Sequence, residues 1–284
     1  MKSDFLALSA ILLWASLAAL GVSLSHVPPL LLTGIALLIG SLIALPLSGF
    51  RLSAWRVPAS TLALGVYGLF GFHLLLFVAL RTAPAVEANL INYLWPLGMV
   101  VLAPLMLPGT RLRTAHIGAA LLGFAGAALA ILGRGSAGGV HFSGGFHVGY
   151  VYALGSALVW ATYSLGTRRV RAFDTAAVGS FAAVSGALAL LFHWLLEPAV
   201  VLSARDLLLI AILGLGPLGG AFFLWDAAIK AGDPRRIGLL AFLTPLLSTV
   251  VMLLTTGQPL SAPVALSAAM IIGAAFWGRT GAGS

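Results

Sequence analysis

Leu8-Ser9-Ala10-Ile11-Leu12-Leu13-Trp14-Ala15-Ser16 returns, loosely, as Leu154-Gly155-Ser156-Ala157-Leu158-Val159-Trp160-Ala161-Thr162, 146 residues further on. A second pair of stretches repeats at nearly the same offset, 149 residues. Ala79-Leu80-Arg81 and Tyr93-Leu94-Trp95-Pro96-Leu97 correspond to Ala228-Ile229-Lys230 and Phe242-Leu243-Thr244-Pro245-Leu246. Near-constant spacing across two motifs means two halves of one ancestry. Each half holds five long apolar runs. An odd number of crossings obliges the second copy to insert in the opposite sense. Such inverted-topology repeats are characteristic of secondary transporters, where two halves rock around one central site.

Composition leaves little room for another class. Hydrophobic residues make up 61% of 284 and charged residues 8%, with a mean hydropathy of +1.09. A soluble domain of this size cannot hide so much apolar surface, so the solvent is a bilayer. The 34 glycines and 14 prolines fit membrane helices, which tolerate both and pack closely through small residues. With no cysteine, disulfides and thiolate metal sites are excluded, and no metal or cofactor is expected. The net charge of +8 is spread in ones, twos and threes between apolar runs. That is a topology signal and not the footprint of a nucleic-acid partner.

The sequence predicts an all-α integral membrane protein with ten transmembrane helices. They fall at 5–25, 29–48, 58–80, 84–107, 114–132, 147–167, 174–196, 207–230, 236–256 and 262–278, each close to the roughly 20 residues that cross the hydrocarbon core. Turn chemistry separates them at Pro28-Pro29, Ser48-Gly49, Pro84, Pro108-Gly109, Asp233-Pro234 and Gly257-Gln258-Pro259. The repeats are expected at 1–133 and 147–284, joined by a linker at 134–146. With the N-terminus in the cytoplasm, twelve of fifteen basic residues fall on inner segments and three, Arg81, Arg134 and Arg205, on outer ones. The positive-inside rule then places both termini in the cytoplasm. Lys2, the apolar run and Ser23-Leu24-Ser25 resemble a signal peptide. The run is long for one, however, and its twin at 150–167 cannot be a signal, so the first span is expected to stay.

Polar residues inside a span are costly and need a reason. In the fourth span Asn89, Asn92, Tyr93 and Pro96 share one helical face. They can bind the head group of a substrate, or they can serve as glue between helices. His73 lies at a depth similar to that of Asn92. It either faces the same cavity or is a core histidine bonded to a carbonyl. The sixth span carries a stripe of Tyr152, Ser156, Trp160, Tyr163 and Thr167, whose twin in the first span is Leu6, Ala10, Trp14 and Leu17. Trp14 and Trp160 fall near mid-depth and can enclose an aromatic ligand or pack as ordinary core. Trp95, Phe222 and Trp225 are expected to extend that aromatic wall as substrate contacts, and Phe242 to add to it. Pro96 and Pro245 are twins near the midplane, where each removes an amide donor and makes a candidate hinge. Two pairs read as structural: Asp226 with Lys230 at i, i+4, and Glu87 with Arg81.

These residues resemble the drug/metabolite transporter superfamily, and within it the ten-helix EamA-type exporters. The Leu-Trp-Ala-Ser/Thr element of spans one and six and the two Leu-x-Pro-Leu elements carry the resemblance, which covers about residues 5–278. Around His73, Asn89, Asn92 and Tyr93-Leu94-Trp95-Pro96 the chain looks most like bacterial inner-membrane aromatic amino acid exporters. The resemblance implies a central cavity lined by spans one, three, four, six, eight and nine. The fifth and tenth spans would be peripheral, with the Ala119, Gly123 and Ala127 ridge free for packing or for dimer contact, giving a monomer or a weak homodimer. The mid-membrane glutamate of the small multidrug members has no equivalent in span one, which weighs against drug/proton antiport.

The function expected is export of aromatic and other neutral amino acids by alternating access, facilitated or weakly coupled. Trp14, Trp160 and Tyr163 would contact the side chain. Asn89, Asn92, Tyr93 and His73 would hold the head group. A proton-coupled exporter of cationic drugs or other metabolites and a lipid-carrier flippase are the alternatives. A flippase would want basic residues for a phosphate inside the cavity, and the spans offer none. An intramembrane enzyme lacks support, since there is no His-Glu-x-x-His and no pair of mid-span aspartates.

Overall fold

The protein, as a computed structural model, is described over residues 2–132, 145–256 and 262–280. The expected linker up to residue 144 and the Gly257-Gln258-Pro259 turn lie outside these residues. Among the described residues every regular element is helical. That is the outcome expected when hydrocarbon offers no partner to the backbone and each amide must find one within its own segment.

In chain order the helical stretches are α1 Lys2–Ser23, α2 Pro29–Leu47, α3 Ala59–Thr82, α4 Ala85–Met106 and α5 Thr114–Leu132. The second half contributes α6 Val148–Gly166, α7 Thr175–Leu196, α8 Ala204–Ala231, α9 Pro234–Val251 and α10 Ala262–Thr280. Eight of these are long and apolar enough to cross a membrane. The other two are α6, whose tyrosines, serines and Trp160 lower its hydropathy, and α10, whose apolar part runs only over Ala262–Gly278.

Several helices are interrupted; the breaks at Ser16 of α1 and Leu42-Ile43 of α2 have no counterpart, but those of α3, α4, α8 and α9 follow the repeat. Helix α4 breaks at Tyr93-Leu94, just before Trp95-Pro96, and α9 breaks at Phe242, just before Leu243-Thr244-Pro245. Helix α3 widens into a π segment at Tyr67–Gly71 and α8 into another at Gly216–Gly220. The two π segments are 149 residues apart, the offset that also relates Pro96 to Pro245. Packing obeys the same exchange. Helix α5 packs on α10 and α2 on α7; α3 packs on α6 as α8 does on α1; α4 packs on α6 as α9 does on α1.

Glycine allows the closest of these approaches. At Gly219, inside the second π segment, an added Cβ would lie 1.9 Å from the Gly214 carbonyl oxygen and 2.7 Å from Gly40 Cα. Both obstacles are backbone, so no rotamer change relieves the clash. Gly219→Ala is therefore expected to force α2 and α8 apart and destabilise by more than the ~1–3 kcal/mol of ordinary overpacking. Thermal unfolding in detergent would show it. An unchanged midpoint would mean that the π segment relaxes freely.

Ionic contacts close the two ends of the bundle. At one end the Glu197 side chain, fully buried, accepts from Arg81 Nη2 at 2.7 Å and bonds His193 Nδ1 at 3.0 Å. It also accepts from the amides of Leu30 at 3.1 Å and Leu31 at 3.3 Å. Arg81 thus does not pair with Glu87, as its sequence position suggested. Arg81 ends α3 beside the junction of α2 and α7, whereas Glu87 faces α6 and accepts from the Tyr150 hydroxyl. At the other end Lys230 bonds Asp226 at 2.6 Å, as expected, and sits 3.6 Å over the Phe173 ring. Thr175 donates to the same carboxylate at 2.7 Å, and Arg236 pairs with Asp4 at 2.5 Å.

The Ala119, Gly123 and Ala127 ridge packs within the chain. A Cβ at Gly123 would meet the Phe242 ring at 2.5 Å, and Ser267 of α10 donates to the Gly126 carbonyl at 2.7 Å. Phe242 belongs to this buried cluster, with Val100, Ala119, Ala120 and Leu246. It therefore does not join the aromatic wall expected from its sequence. The break at Phe242 leaves that ring directed toward α5.

Candidate functional site

A cavity of about 450 Å³ opens between the two halves. Its lining comes from Trp14 and Gly21 of α1, Thr33 of α2, Phe72, His73 and Phe77 of α3, Asn89, Asn92, Tyr93 and Trp95 of α4, Trp160 of α6, Phe222 of α8, and Thr244, Pro245 and Ser248 of α9. Helices α2 and α5 (through Ile131) contribute as well, beyond the six helices the resemblance implied. The volume lies within the range of small-molecule sites, roughly 300–1,000 Å³.

One wall is an aromatic layer assembled from both repeats. Trp14 stands 5.8 Å from Trp160, 6.3 Å from Trp95 and 5.1 Å from Trp225, centroid to centroid. Trp160 adds Phe72 at 5.2 Å and Phe222 at 5.5 Å. Most of these contacts are tilted or edge-on, the arrangements that ring quadrupoles favour. Trp225 and Tyr163, both expected to touch substrate, do not line the cavity. Their larger rings fill the layer from behind: Trp225 donates its indole N–H to Ser164 Oγ at 3.0 Å, and Tyr163 packs 5.4 Å from Trp160. Of the two candidate hinges Pro245 lines the cavity, whereas Pro96 is buried and its carbonyl faces Gly238 of α9.

The aromatic layer is also tied to the π segments. Trp14 donates its indole N–H to the Pro217 carbonyl at 3.1 Å, inside Gly216–Gly220. His73 Nδ1 is 2.6 Å from the Leu69 carbonyl, inside Tyr67–Gly71. A π turn misaligns its carbonyls, and π segments often mark functional positions. Here a cavity-lining ring takes up one carbonyl in each. For His73 both readings from sequence hold at once: it bonds a carbonyl and it lines the cavity. A carbonyl only accepts, so Nδ1 carries the proton and Nε2 of the neutral ring is left as an acceptor.

The polar wall is sparse. Ser156 Oγ lies 2.8 Å from both Asn92 Oδ1 and the Ala153 carbonyl, which share its one proton; with Oδ1 turned to Ser156, the Asn92 amide hydrogens are left as donors. Asn89 and Tyr93 stand on the same face of α4. Thr33, Thr244 and Ser248 complete the wall, and the sequence reading had not singled them out. Thr244 was in view only as the twin of Trp95 in the repeat, so its own hydroxyl drew no attention.

The cavity lies wholly to one side of the aromatic layer. Gly21, Leu32, Thr33, Leu80, Asn89 and Ile131 belong to the helix ends near Arg81 and Glu197. On the other side Ala7, Ala10, Ile11, Met99, Tyr163 and Ile237 form a buried core.

Comparison with known proteins adds three findings. Residues 1–132 and 147–278 each match the EamA-like transporter family. A protein named aromatic amino acid exporter YddG, from Ancylobacter novellus, is 39% identical over 277 residues, covering 96% of each chain. The protein of the same name from Escherichia coli K12 is 24% identical over 285 residues, covering 96% of this chain and 94% of its own. A solved crystal structure superposes with a TM-score of 0.92 at 37% identity, covering 99% of this chain and 97% of the other.

Proposed function

The chain belongs to the EamA-like transporter family, and on that premise we propose that it exports aromatic and other neutral amino acids by alternating access. It is a multi-pass inner-membrane transporter and not an enzyme. The name borne by the Ancylobacter and Escherichia relatives supports the substrate class. The observation that carries the proposal is the cavity itself, with indoles from both repeats on one wall and neutral hydrogen-bonding groups on the other. An aromatic side chain finds edge and face contacts on Trp14, Trp95, Trp160 and Phe222. A zwitterionic head group finds donors in Asn92 and an acceptor in His73.

In this reading ten helices cross the bilayer as inverted repeats, 1–133 and 147–284, with 134–146 between them and both termini in the cytoplasm. The twin breaks and twin π segments support it, because each half then carries the same pair of bends. The basic-residue distribution makes the Arg81 end external. The cavity is then open outward, closed toward the cytoplasm by the aromatic layer and by the contacts around Lys230. Return to the inward state requires those contacts to part while the two halves rock, with the π segments and proline breaks absorbing the motion.

Counterflow of labelled phenylalanine in proteoliposomes, with no ion gradient imposed, tests the proposal. Labelled amino acid is expected to accumulate against unlabelled phenylalanine inside. Asn92→Ala is expected to reduce the initial rate by about tenfold or more, the loss of one charge-assisted hydrogen bond. Wild-type vesicles of confirmed orientation that show no counterflow would remove aromatic amino acids as substrates.

A further inference from the structure

We propose, resting on the amino-acid reading of the cavity, that Thr244 is a specificity-determining residue whose hydroxyl donates to the substrate carboxylate from the second repeat. It would face Asn92, which does the same from the first. The argument begins with a missing partner. Threonines within helices usually return their hydroxyl to a carbonyl one turn back. Thr82 does so to Val78 at 2.6 Å, Thr162 to Leu158 at 2.6 Å, and Thr249 to Pro245 at 2.8 Å. Thr244 does not. Its Oγ1 is buried and has no hydrogen-bond partner among the described residues, while the side chain lines the cavity. A buried hydroxyl left unpaired is unfavourable, and a ligand that supplies the partner recovers that loss.

Which ligand atom it meets follows from the charges available. Among the described residues lining the cavity there is no Lys, Arg, Asp or Glu. Both charges of an amino acid must therefore be met by neutral groups. The acceptor side is taken by His73, whose Nε2 lone pair is free because Leu69 holds Nδ1. The donor side has the Asn92 amide, with Oδ1 turned to Ser156, and the uncommitted hydroxyls of Thr244 and Thr33; Thr33 lies one turn into α2 at the Glu197 end, whereas Thr244 lies beside the helix break of the second repeat. Thr244 sits one residue before Pro245 and two after the break at Phe242; Asn92 directly precedes the break at Tyr93-Leu94. A carboxylate held by both would link the bent helices of the two repeats, so that filling the site bears on the elements that move.

The repeat explains why this residue is hidden in the sequence. At the 149-residue offset the positions matching Asn89 and Asn92 are Gly238 and Ala241, so the second half carries no copy of the asparagine face. Its polar stripe is displaced to Thr244 and Ser248, one helical turn apart.

Binding to purified Thr244→Val, an isosteric change that removes only the hydroxyl, provides the test. Quenching of the cavity tryptophans, excited where phenyl rings do not absorb, would report affinity for three probes: phenylalanine, 3-phenylpropionate and phenethylamine. Thr61→Val is the control, because Thr61 Oγ1 is likewise buried and unpartnered but lies outside the cavity. Thr244→Val is expected to weaken phenylalanine and 3-phenylpropionate about tenfold and to leave phenethylamine unchanged, with Thr244→Ser restoring affinity. Equal affinities in wild type and Thr244→Val would overturn the assignment, as would a loss confined to phenethylamine or shared alike by all three. If wild type itself binds none of the probes, the amino-acid reading fails and this proposal with it.

Discussion

Replacing Glu197 by alanine is expected to be among the most damaging single changes in this chain, lowering stability by about 2–6 kcal/mol, the range for leaving two backbone donors unsatisfied at about 1–3 kcal/mol each. The Glu197 side chain is fully buried, and its oxygens are shared among four donors: Arg81, His193 and the amides of Leu30 and Leu31. The two amides belong to the first turn of α2, whose N–H groups have no partner within the helix. Pro29 opens that helix, and the positive end of its dipole meets the carboxylate. Alanine would thus orphan two backbone donors and leave Arg81 without its anion, while separating α7 from α2 and α3. Arg81→Ala is expected to cost less, because the Arg81 side chain is 50% exposed and Glu197 keeps its amide donors. Glu197→Gln should fall between, keeping an acceptor but losing the charge. Thermal unfolding in one detergent would rank the three. A Glu197→Ala midpoint within a degree or two of wild type would show that the cluster is incidental to the fold.

The positions of the helices were legible in the sequence because the bilayer imposes so strong a length and polarity rule. Turn residues such as Pro28, Pro84 and Asp233 fall between observed helices, and Pro29 and Pro234 open the next ones. The repeat offset was legible too, and it led to Trp14, Trp160, Pro96 and Pro245. Partner choice at the helix ends was not. Arg81 and Glu197 are 116 residues apart, and only the packing of α3 against α7 brings them together. The π segments were unevenly legible: Pro217 and three glycines mark Gly216–Gly220 as a break, whereas nothing in Tyr67–Gly71 departs from an apolar helical pattern. At Gly219 the backbones of α2 and α8 also approach too closely for a side chain.

Within the site, residue type was more legible than direction. Eight of the ten residues expected to touch substrate do line the cavity, and the two that do not, Tyr163 and Trp225, stand directly behind the rings that do. Helical periodicity places a residue on a face but does not resolve which layer of that face it fills. Phe242 failed for a related reason: its twin Tyr93 lines the cavity, yet the break in α9 directs Phe242 into the cluster with Ala119 and Ala127. The hydrogen bonds from Trp14 and His73 into the π segments are the most consequential feature beyond the reach of the sequence. They mean that rings lining the cavity also hold the backbone where α3 and α8 are least regular.

Trp160→Ala is expected to lower phenylalanine counterflow to about one-hundredth of wild type or less, equivalent to roughly 2.8 kcal/mol at about 1.4 kcal/mol per tenfold. Trp160, contributed by the second repeat, touches five rings, Trp14, Trp95, Phe72, Tyr163 and Phe222, at 5.2–6.3 Å. Its loss removes a contact surface for the ligand and leaves a void that those neighbours fill only in part, since Trp→Ala in a packed core costs about 3–5 kcal/mol. The packing and binding effects can be separated. Trp160→Phe keeps an aromatic face and is expected to recover most of the stability and part of the transport. In Trp160→Ala the apolar void should admit free indole, as engineered apolar cavities admit small aromatics. Added indole is therefore expected to raise the melting midpoint of the variant and not that of wild type. Rescue of stability without rescue of counterflow would identify the ring as a ligand contact as well as core. Wild-type counterflow in a stably folded Trp160→Ala protein would instead remove Trp160 from the binding surface and move the aromatic subsite toward Phe72 and Phe77.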